Sequence, residues 1–226
     1  MNENTNILLV YRTGNTFSME DVYLLADHLH SKNKQITVYC LTNAIKQRIN
    51  MLNVNLIPLF YEWPNWWAKM NLFAPELENL RPFLYMDLDT AVIKPISYIL
   101  QTIRQYNGVI MLRDFYRLKT AASGLMWLPA YNSKVKEVWE KWIKNPELNI
   151  RNFRGDQEFI NSVIIPDSYW QDLYGGIVSY KPNKIKRKVL DGTEKIVCFH
   201  GVPKIREAAK SAKWVNEYIK INHYGI

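Results

Sequence analysis

No run of this chain approaches the ~20 consecutive apolar residues that a membrane-spanning helix needs, so none is expected. The polar opening from Met1 to Asn6 has no basic segment followed by an apolar core, so no secretory signal is expected either. Cysteine is scarce. Cys40 and Cys198 are the two present, each inside an apolar strand-like run, which predicts inert core thiols rather than a disulfide framework or thiolate metal site. No repeat, low-complexity tract or flexible linker interrupts the sequence. The expectation is a single domain over residues 1–226, in the cytoplasm. Acidic residues are also in deficit: 21 Asp and Glu stand against 29 Lys and Arg, a formal net charge of +8. The surplus gathers between Lys181 and Lys213, where Asp191, Glu194 and Glu207 are the only acids. Such a surplus suits a phosphorylated substrate, nucleic acid, an anionic glycan or an anionic membrane. Lys184 to Lys188 is the segment for peripheral membrane contact. Aromatic residues, by contrast, are plentiful, with 8 Trp and 14 Tyr; they fill cores and also wall sites for bases and sugar rings.

Apolar periodicity organises the rest. Ile7 to Tyr11 reads as a buried strand, Arg12 to Asn15 as a loop, and Ser18 with Asp21 as a capping box. That box opens a helix carrying Val22, Leu25, His28, Leu29 and His30. Ile36 to Leu41 is a second strand, and strand, helix, strand predicts a parallel βαβ unit. Further strands are expected within Val54–Trp63 and over Phe83–Met86, Val109–Leu112, Ser123–Leu128, Ile177–Tyr180 and Ile196–Phe199. From Asn132 to Asn145 the spacing of Val135, Val138, Trp139, Trp142 and Ile143 predicts an amphipathic helix. It is capped by Asn132 and stopped at Asn145-Pro146. The pattern is α/β with a mostly parallel sheet.

The strand Phe83-Leu84-Tyr85-Met86 runs into Asp87-Leu88-Asp89. Alternation along an extended segment puts both carboxylates on one side, with Leu88 pointing away. Two carboxylates so close raise each other's pKa unless a cation lies between them. They sit at a strand end, where open α/β sheets bind ligands. Carboxylate oxygens suit Mg²⁺ or Mn²⁺, which supplies Lewis-acid stabilisation to a departing phosphate. Phosphotransferases of the haloacid-dehalogenase type also place D-x-D after an apolar strand, but near the start of their core; here a complete βαβ pattern comes first. A solvated strand-to-turn exit is the plain alternative for the pair alone.

Four ordered segments carry a resemblance to a known family. They are Trp66-Trp67-Ala68-Lys69-Met70-Asn71-Leu72-Phe73, then Phe83 to Thr90 with Lys94-Pro95-Ile96, then Ala122-Ser123-Gly124-Leu125-Met126, and Arg154-Gly155-Asp156-Gln157-Glu158-Phe159-Ile160-Asn161. Near the end, Cys198-Phe199-His200-Gly201 is similar to a histidine segment of the same family. Over about residues 7 to 204 the chain resembles GT-A-fold glycosyltransferases of the glycogenin and lipopolysaccharide galactosyltransferase family (family 8).

The resemblance implies a Rossmann-like, mostly parallel sheet flanked by helices. It implies transfer of a hexose from a nucleotide-diphosphate sugar, most often a UDP-sugar, to a carbohydrate or protein acceptor, with retention. By the same resemblance Asp87, Asp89 and His200 would hold Mn²⁺ or Mg²⁺. Lys69, Ser123 and Lys204 would contact the donor, Tyr11 and Arg12 would border the base, and Asp156 and Gln157 would lie beside the anomeric carbon. Trp66 and Trp67 are read as core or lid packing. Nucleic acid is not the expected partner. A catalytically silent nucleotide- or sugar-binding module, or a basic nucleic-acid-binding protein, are the alternatives.

Overall fold

The first three elements are the expected unit. β1 (Thr5–Tyr11), α1 (Met19–Lys32) and β2 (Ile36–Thr42) make a βαβ crossover, with β1 and β2 parallel from Thr5↔Ile36 to Tyr11↔Thr42. The computed structural model describes residues 4–45, 53–181 and 186–220; Lys184 and His223 lie outside them. Asp21 accepts from the Ser18 amide at 2.8 Å, closing the expected capping box. β3 (Asn55–Pro58) is shorter than the apolar stretch around it. Two consecutive 3-10 stretches follow, Asn65–Phe73 and Pro75–Leu80, and then β4 (Phe83–Met86) and β5 (Thr90–Val92). Beyond α2 (Ser97–Ile103) come β6 (Ile110–Arg113), β7 (Ala121–Leu128), α3 (Ser133–Lys144), α4 (Pro146–Asn152) and α5 (Asp156–Val163). The chain continues through β8 (Ser168–Tyr169), α6 (Trp170–Leu173), β9 (Ile177–Ser179), β10 (Ile196–Cys198), α7 (Ile205–Ala208) and α8 (Lys213–Lys220).

Within the described residues the strands form a seven-stranded sheet, ordered β3-β2-β1-β4-β7-β6-β8, and a three-stranded sheet, β5-β10-β9. The large sheet is mostly parallel; β7 runs against both β4 and β6. Side chains alternate between two cores. Ile7, Leu9, Leu84 and Met86 pack with α1 and α2, while Leu8, Phe83 and Tyr85 pack with the first 3-10 stretch, α3 and α5. Both faces are covered, which is why the inner strands read as near-continuous apolar runs.

α3 begins where expected, with the Asn132 side chain accepting from the Lys134 and Val135 amides. Its Val135, Val138 and Trp142 are buried, but Ile143 is 40% exposed, because the helix passes the edge of the core in its last turn. Trp142 stacks on Trp67 at 5.1 Å and meets Phe159 edge-on at 5.2 Å. This aromatic seam joins the first 3-10 stretch, α3 and α5. Both cysteines are free and buried as expected, and burial pushes the Cys40 thiol up to about 12. Among the described residues no helix is long and apolar enough to cross a membrane.

The small sheet positions the C-terminal segment. β10 lies antiparallel to β5 with Cys198 opposite Thr90, and the Phe199 amide donates to the Asp89 carbonyl at 2.8 Å. His200 is thereby carried to the segment of the two aspartates.

Trp142→Ala is expected to cost about 3–5 kcal/mol by urea unfolding, the range for truncating a large buried aromatic. Trp142→Phe should cost far less, because the indole Nε1 is buried with no hydrogen-bond partner among the described residues.

Candidate active site

A cleft of about 860 Å³ opens where β1, β4 and β6 end, and Lys69, Asp87, Asp89, Asp156, His200 and Lys204 all line it. The volume is that of a site for a sizeable small molecule. Its floor is built around Lys69. Alternation turns Phe83, Tyr85 and then Asp87 toward the face where the 3-10 stretch and α5 pack. There the Lys69 Nζ lies 3.1 Å from Asp87 Oδ1, 3.0 Å from Asp156 Oδ2 and 3.1 Å from Ser123 Oγ. The ammonium has three protons and meets three acceptors, so its donors are satisfied. Burial works to lower the Lys69 pKa, but Asp156 and Asp87 outweigh it and hold it raised.

Ser123 donates to Asp156 Oδ2 at 2.6 Å, and the Tyr85 hydroxyl donates to Asp87. Burial and then the Asp87 charge raise the Tyr85 pKa, so the phenol stays a donor. The Asp87 amide donates to the Gly124 carbonyl at 2.9 Å. A Cβ on Gly124 would stand 3.1 Å from Asp87 Oδ2. Gly124 therefore leaves room for the carboxylate.

The expected extended geometry of Asp87-Leu88-Asp89 is corrected. The Thr90 amide donates to the Asp87 carbonyl at 3.1 Å, so the segment turns. Leu88 drops into the core, and the two carboxylates diverge to different partners. Asp89 accepts from Lys204 Nζ at 2.5 Å. Burial, and next the Asp87 charge, lift the Asp89 pKa to about 6, against the pull of Lys204.

His200 stacks on Phe115 at 5.4 Å, and its Nε2 is hydrogen-bonded to Ser179 Oγ at 2.6 Å. Burial and then Lys181 lower its pKa to about 4, so the imidazole is neutral at neutral pH. Among the described residues no group of three or more His, Cys, Asp and Glu side chains is gathered as a metal-holding cluster. Asp87, Asp89 and His200 share the cleft, each engaged with a different partner.

Asp156 is the first residue of α5, after Gly155, and is buried. Its carboxylate there also suits the positive end of the helix dipole. Gln157 lines the cleft and donates to Asp114 Oδ2 at 3.1 Å. Tyr11 and Arg12 lie in the cleft wall at the end of β1, with Arg12 3.7 Å from Glu62. All ten residues singled out from the sequence line the one cleft.

Sequence reading missed Tyr85, Asp114, Phe115 and Tyr116. Asp114 follows β6 as Asp87 follows β4, and the same strand-exit rule marks it. Burial acts to raise its pKa, but the Arg117 and Tyr116 amides and Gln157 hold it lowered. Tyr85 carried no signal, because its hydroxyl role depends on the neighbouring turn. Trp67 is buried as expected of core packing, whereas Trp66 is 54% exposed and lines the cleft, so Trp66 is not a core residue.

Comparison with protein-family models and with curated proteins finds no match. Solved structures do match. The glycosyltransferase GlyE of Streptococcus pneumoniae TIGR4 superposes with a TM-score of 0.68 at 13% identity, over 96% of this chain and 60% of that one. The galactosyltransferase LgtC, solved in complex with donor and acceptor sugar analogs, gives 0.64 at 12% identity, over 96% of this chain and 95% of that one. The bifunctional WbbM gives 0.58 at 11% identity, over 97% of this chain and 52% of that one. The chain has the GT-A-like fold of these glycosyltransferases. It spans about 60% of GlyE and nearly all of LgtC.

Because the Asp89 pKa is raised from 3.8 to about 6, its contribution to stability is complete below pH 3.8 and is lost as pH rises through 6. In metal-free buffer the urea midpoint of the wild type should therefore fall across that window more steeply than that of Asp89→Asn. Parallel profiles would contradict the burial and repulsion assigned to Asp89.

Proposed function

We propose that this chain is a glycosyltransferase that moves a hexose from a nucleotide-diphosphate sugar to an acceptor hydroxyl. The observation that carries the proposal is one buried ammonium, Lys69, clamping Asp87 and Asp156 at the base of a cleft beyond the strand ends. The same cleft holds Lys204, with Lys181 close by. Cations there suit a diphosphate, and Tyr11 and Arg12, which line the cleft at the end of β1, suit the border of a base such as uracil. The shared fold of GlyE and LgtC supports glycosyl transfer as the chemistry.

The side chains are not gathered around one point among the described residues, but their charge and donor chemistry suit a divalent cation. Asp87, Asp89 and Asp156 set three carboxylates against the two ammonium groups of Lys69 and Lys204 that touch them, leaving one negative charge over. Hard carboxylate oxygens with surplus charge are what Mg²⁺ or Mn²⁺ prefers. Asp87 and Asp89 would hold the ion. His200 is the third candidate, neutral and with no partner for Nδ1 among the described residues. When bound, the ion would supply electrostatic stabilisation of the nucleotide diphosphate leaving group.

The chain's own residues do the remainder. Lys204, released from Asp89, binds a phosphate oxygen. Asp156 has one oxygen taken by both Lys69 and Ser123. Its other oxygen faces the sugar and steadies the oxocarbenium-like transition state. Gln157, fixed by Asp114, orients the sugar hydroxyls. The walls of Phe115 and Leu88 restrict water, which favours transfer over hydrolysis. We assign retention, the acceptor attacking from the side of the leaving group.

A panel of nucleotide sugars, followed by NMR with and without Mn²⁺, tests this. Metal-stimulated release of the nucleotide diphosphate from a UDP-sugar is expected, with the retained anomer formed first. Asp89→Asn should lower turnover at least about a hundredfold while the fold is kept. Turnover undiminished in that variant would overturn the metal assignment, and no turnover of any donor by the wild type would overturn the enzyme.

A further inference from the structure

Two adjacent tryptophans have opposite fates, and the difference has a geometric origin. In a 3-10 stretch neighbouring side chains stand about 120° apart, and residues three apart are eclipsed. Trp67 turns inward, 3% exposed, and stacks on Trp142. Trp66 stands on the same face as Lys69, one turn before it, and looks into the cleft. The backbone is bent to put it there: Asn65, which opens the stretch, has φ 52°, a left-handed conformation rare outside glycine.

The indole then lies against the loop that leads into Asp156. A Cβ on Gly155 would come 3.3 Å from Trp66 Nε1, so the ring edge meets bare backbone. Its position is held on one side, while 54% of the residue stays open to solvent. On the same cleft lining stands Tyr116, 49% exposed, its hydroxyl donating to the Lys181 carbonyl at 3.0 Å. Two half-exposed aromatic side chains, each anchored at one edge, therefore line the cleft that contains Asp156 and Gln157. Large amphipathic rings with an open apolar face suit a ligand with a flat apolar side and polar rim. A pyranose ring has that form.

We infer that Trp66 is the stacking platform of an acceptor-sugar subsite. The inference rests on the glycosyltransferase reading and adds that the acceptor is a carbohydrate, bound through a pyranose ring. A protein acceptor presenting a serine side chain, which has no ring to stack, is thereby disfavoured. Gly155 is part of the same subsite, because any side chain there would push the indole. The platform lies against Gly155, the residue before Asp156, so a sugar seated on it sits near the carboxylate assigned to the reacting carbon of the donor. Trp66 acts on acceptor binding, and the donor is held by Lys69, Lys204 and the aspartates.

The experiment uses the full chain with methyl glucosides, methyl galactosides and lactose. Saturation-transfer NMR reads sugar binding, and steady-state transfer from the donor identified by the panel reads the two KM values. Wild type should give saturation transfer to at least one of these sugars. Trp66→Ala should raise the acceptor KM about tenfold, the scale of one lost aromatic stack, and change the donor KM less than about twofold. Trp66→Phe should recover most of the loss. Binding of none of the sugars by the wild type, or an acceptor KM untouched by Trp66→Ala, overturns the inference. So does a donor KM that rises in step with it. Failure of the glycosyltransferase reading looks different: no nucleotide sugar is turned over by any form of the protein.

Discussion

Everything in the cleft depends on one buried ammonium. Lys69 is held by the aromatic seam of Trp67, Trp142 and Phe159, which locks its 3-10 stretch to α3 and α5. Its three acceptors come from three elements: Asp87 after β4, Ser123 on β7 and Asp156 at the start of α5. Removing the charge would leave two carboxylates facing each other in a low-dielectric floor, which is far costlier than losing an exposed ion pair. The cluster thus links the sheet to the helix layer and fixes the positions of two of the carboxylates on which the proposed chemistry relies. A fold that packed equally well without Lys69 would have no reason to gather these acids.

The small sheet solves a different problem. Asp89 and His200 are 111 positions apart in the numbering, yet β10 pairs with β5 so that Phe199 bonds the Asp89 carbonyl. The next residues bring Lys204 onto the Asp89 carboxylate. Part of the C-terminal positive surplus is consumed in this way rather than displayed. Arg187 is paired with the buried Glu194, and Arg206 with Asp21 and Glu20 on α1. Lys204 lines the cleft, while the Lys181 ammonium donates to the Val202 carbonyl at 2.9 Å. Net charge read from composition alone suggested a basic surface for polyanions, whereas pairing localises part of it where a diphosphate would lie.

How far the sequence could be read follows from the range of the forces involved. The βαβ start, α3 with its Asn132 cap, and β4 ending at Asp87 are local patterns of periodicity and capping, and they appear where expected. The cleft residues were legible because strand exits and ordered motifs mark them. The turn at Leu88-Asp89 was not, since alternation assumes an extended chain and the hydrogen bond from Thr90 to Asp87 breaks that assumption. Tyr85 and Ser179 were invisible because each matters only through a partner brought near by tertiary pairing, Asp87 in one case and His200 in the other. Trp66 and Trp67 are the same letter twice. Neighbouring positions of any helical turn point in different directions, and only the tertiary packing decides which of the two faces the core.

The charge arrangement also explains why this site should be less stable than its surroundings. Three acids and two lysines share the cleft floor, and burial with mutual repulsion lifts the Asp89 pKa to about 6. A protein selected for stability alone would replace Asp89 with an apolar or amide residue, as buried charge is costly unless fully compensated. Retaining it makes physical sense if a ligand restores the balance: a cation supplies the positive charge that Lys204 alone does not, and a diphosphate then gives Lys204 a new partner. The salt bridge between Lys204 and Asp89 is in that sense a substitute for the ligand. In the proposed reaction its two ends would separate to seat cation and donor, so affinity for donor and affinity for cation would rise and fall together.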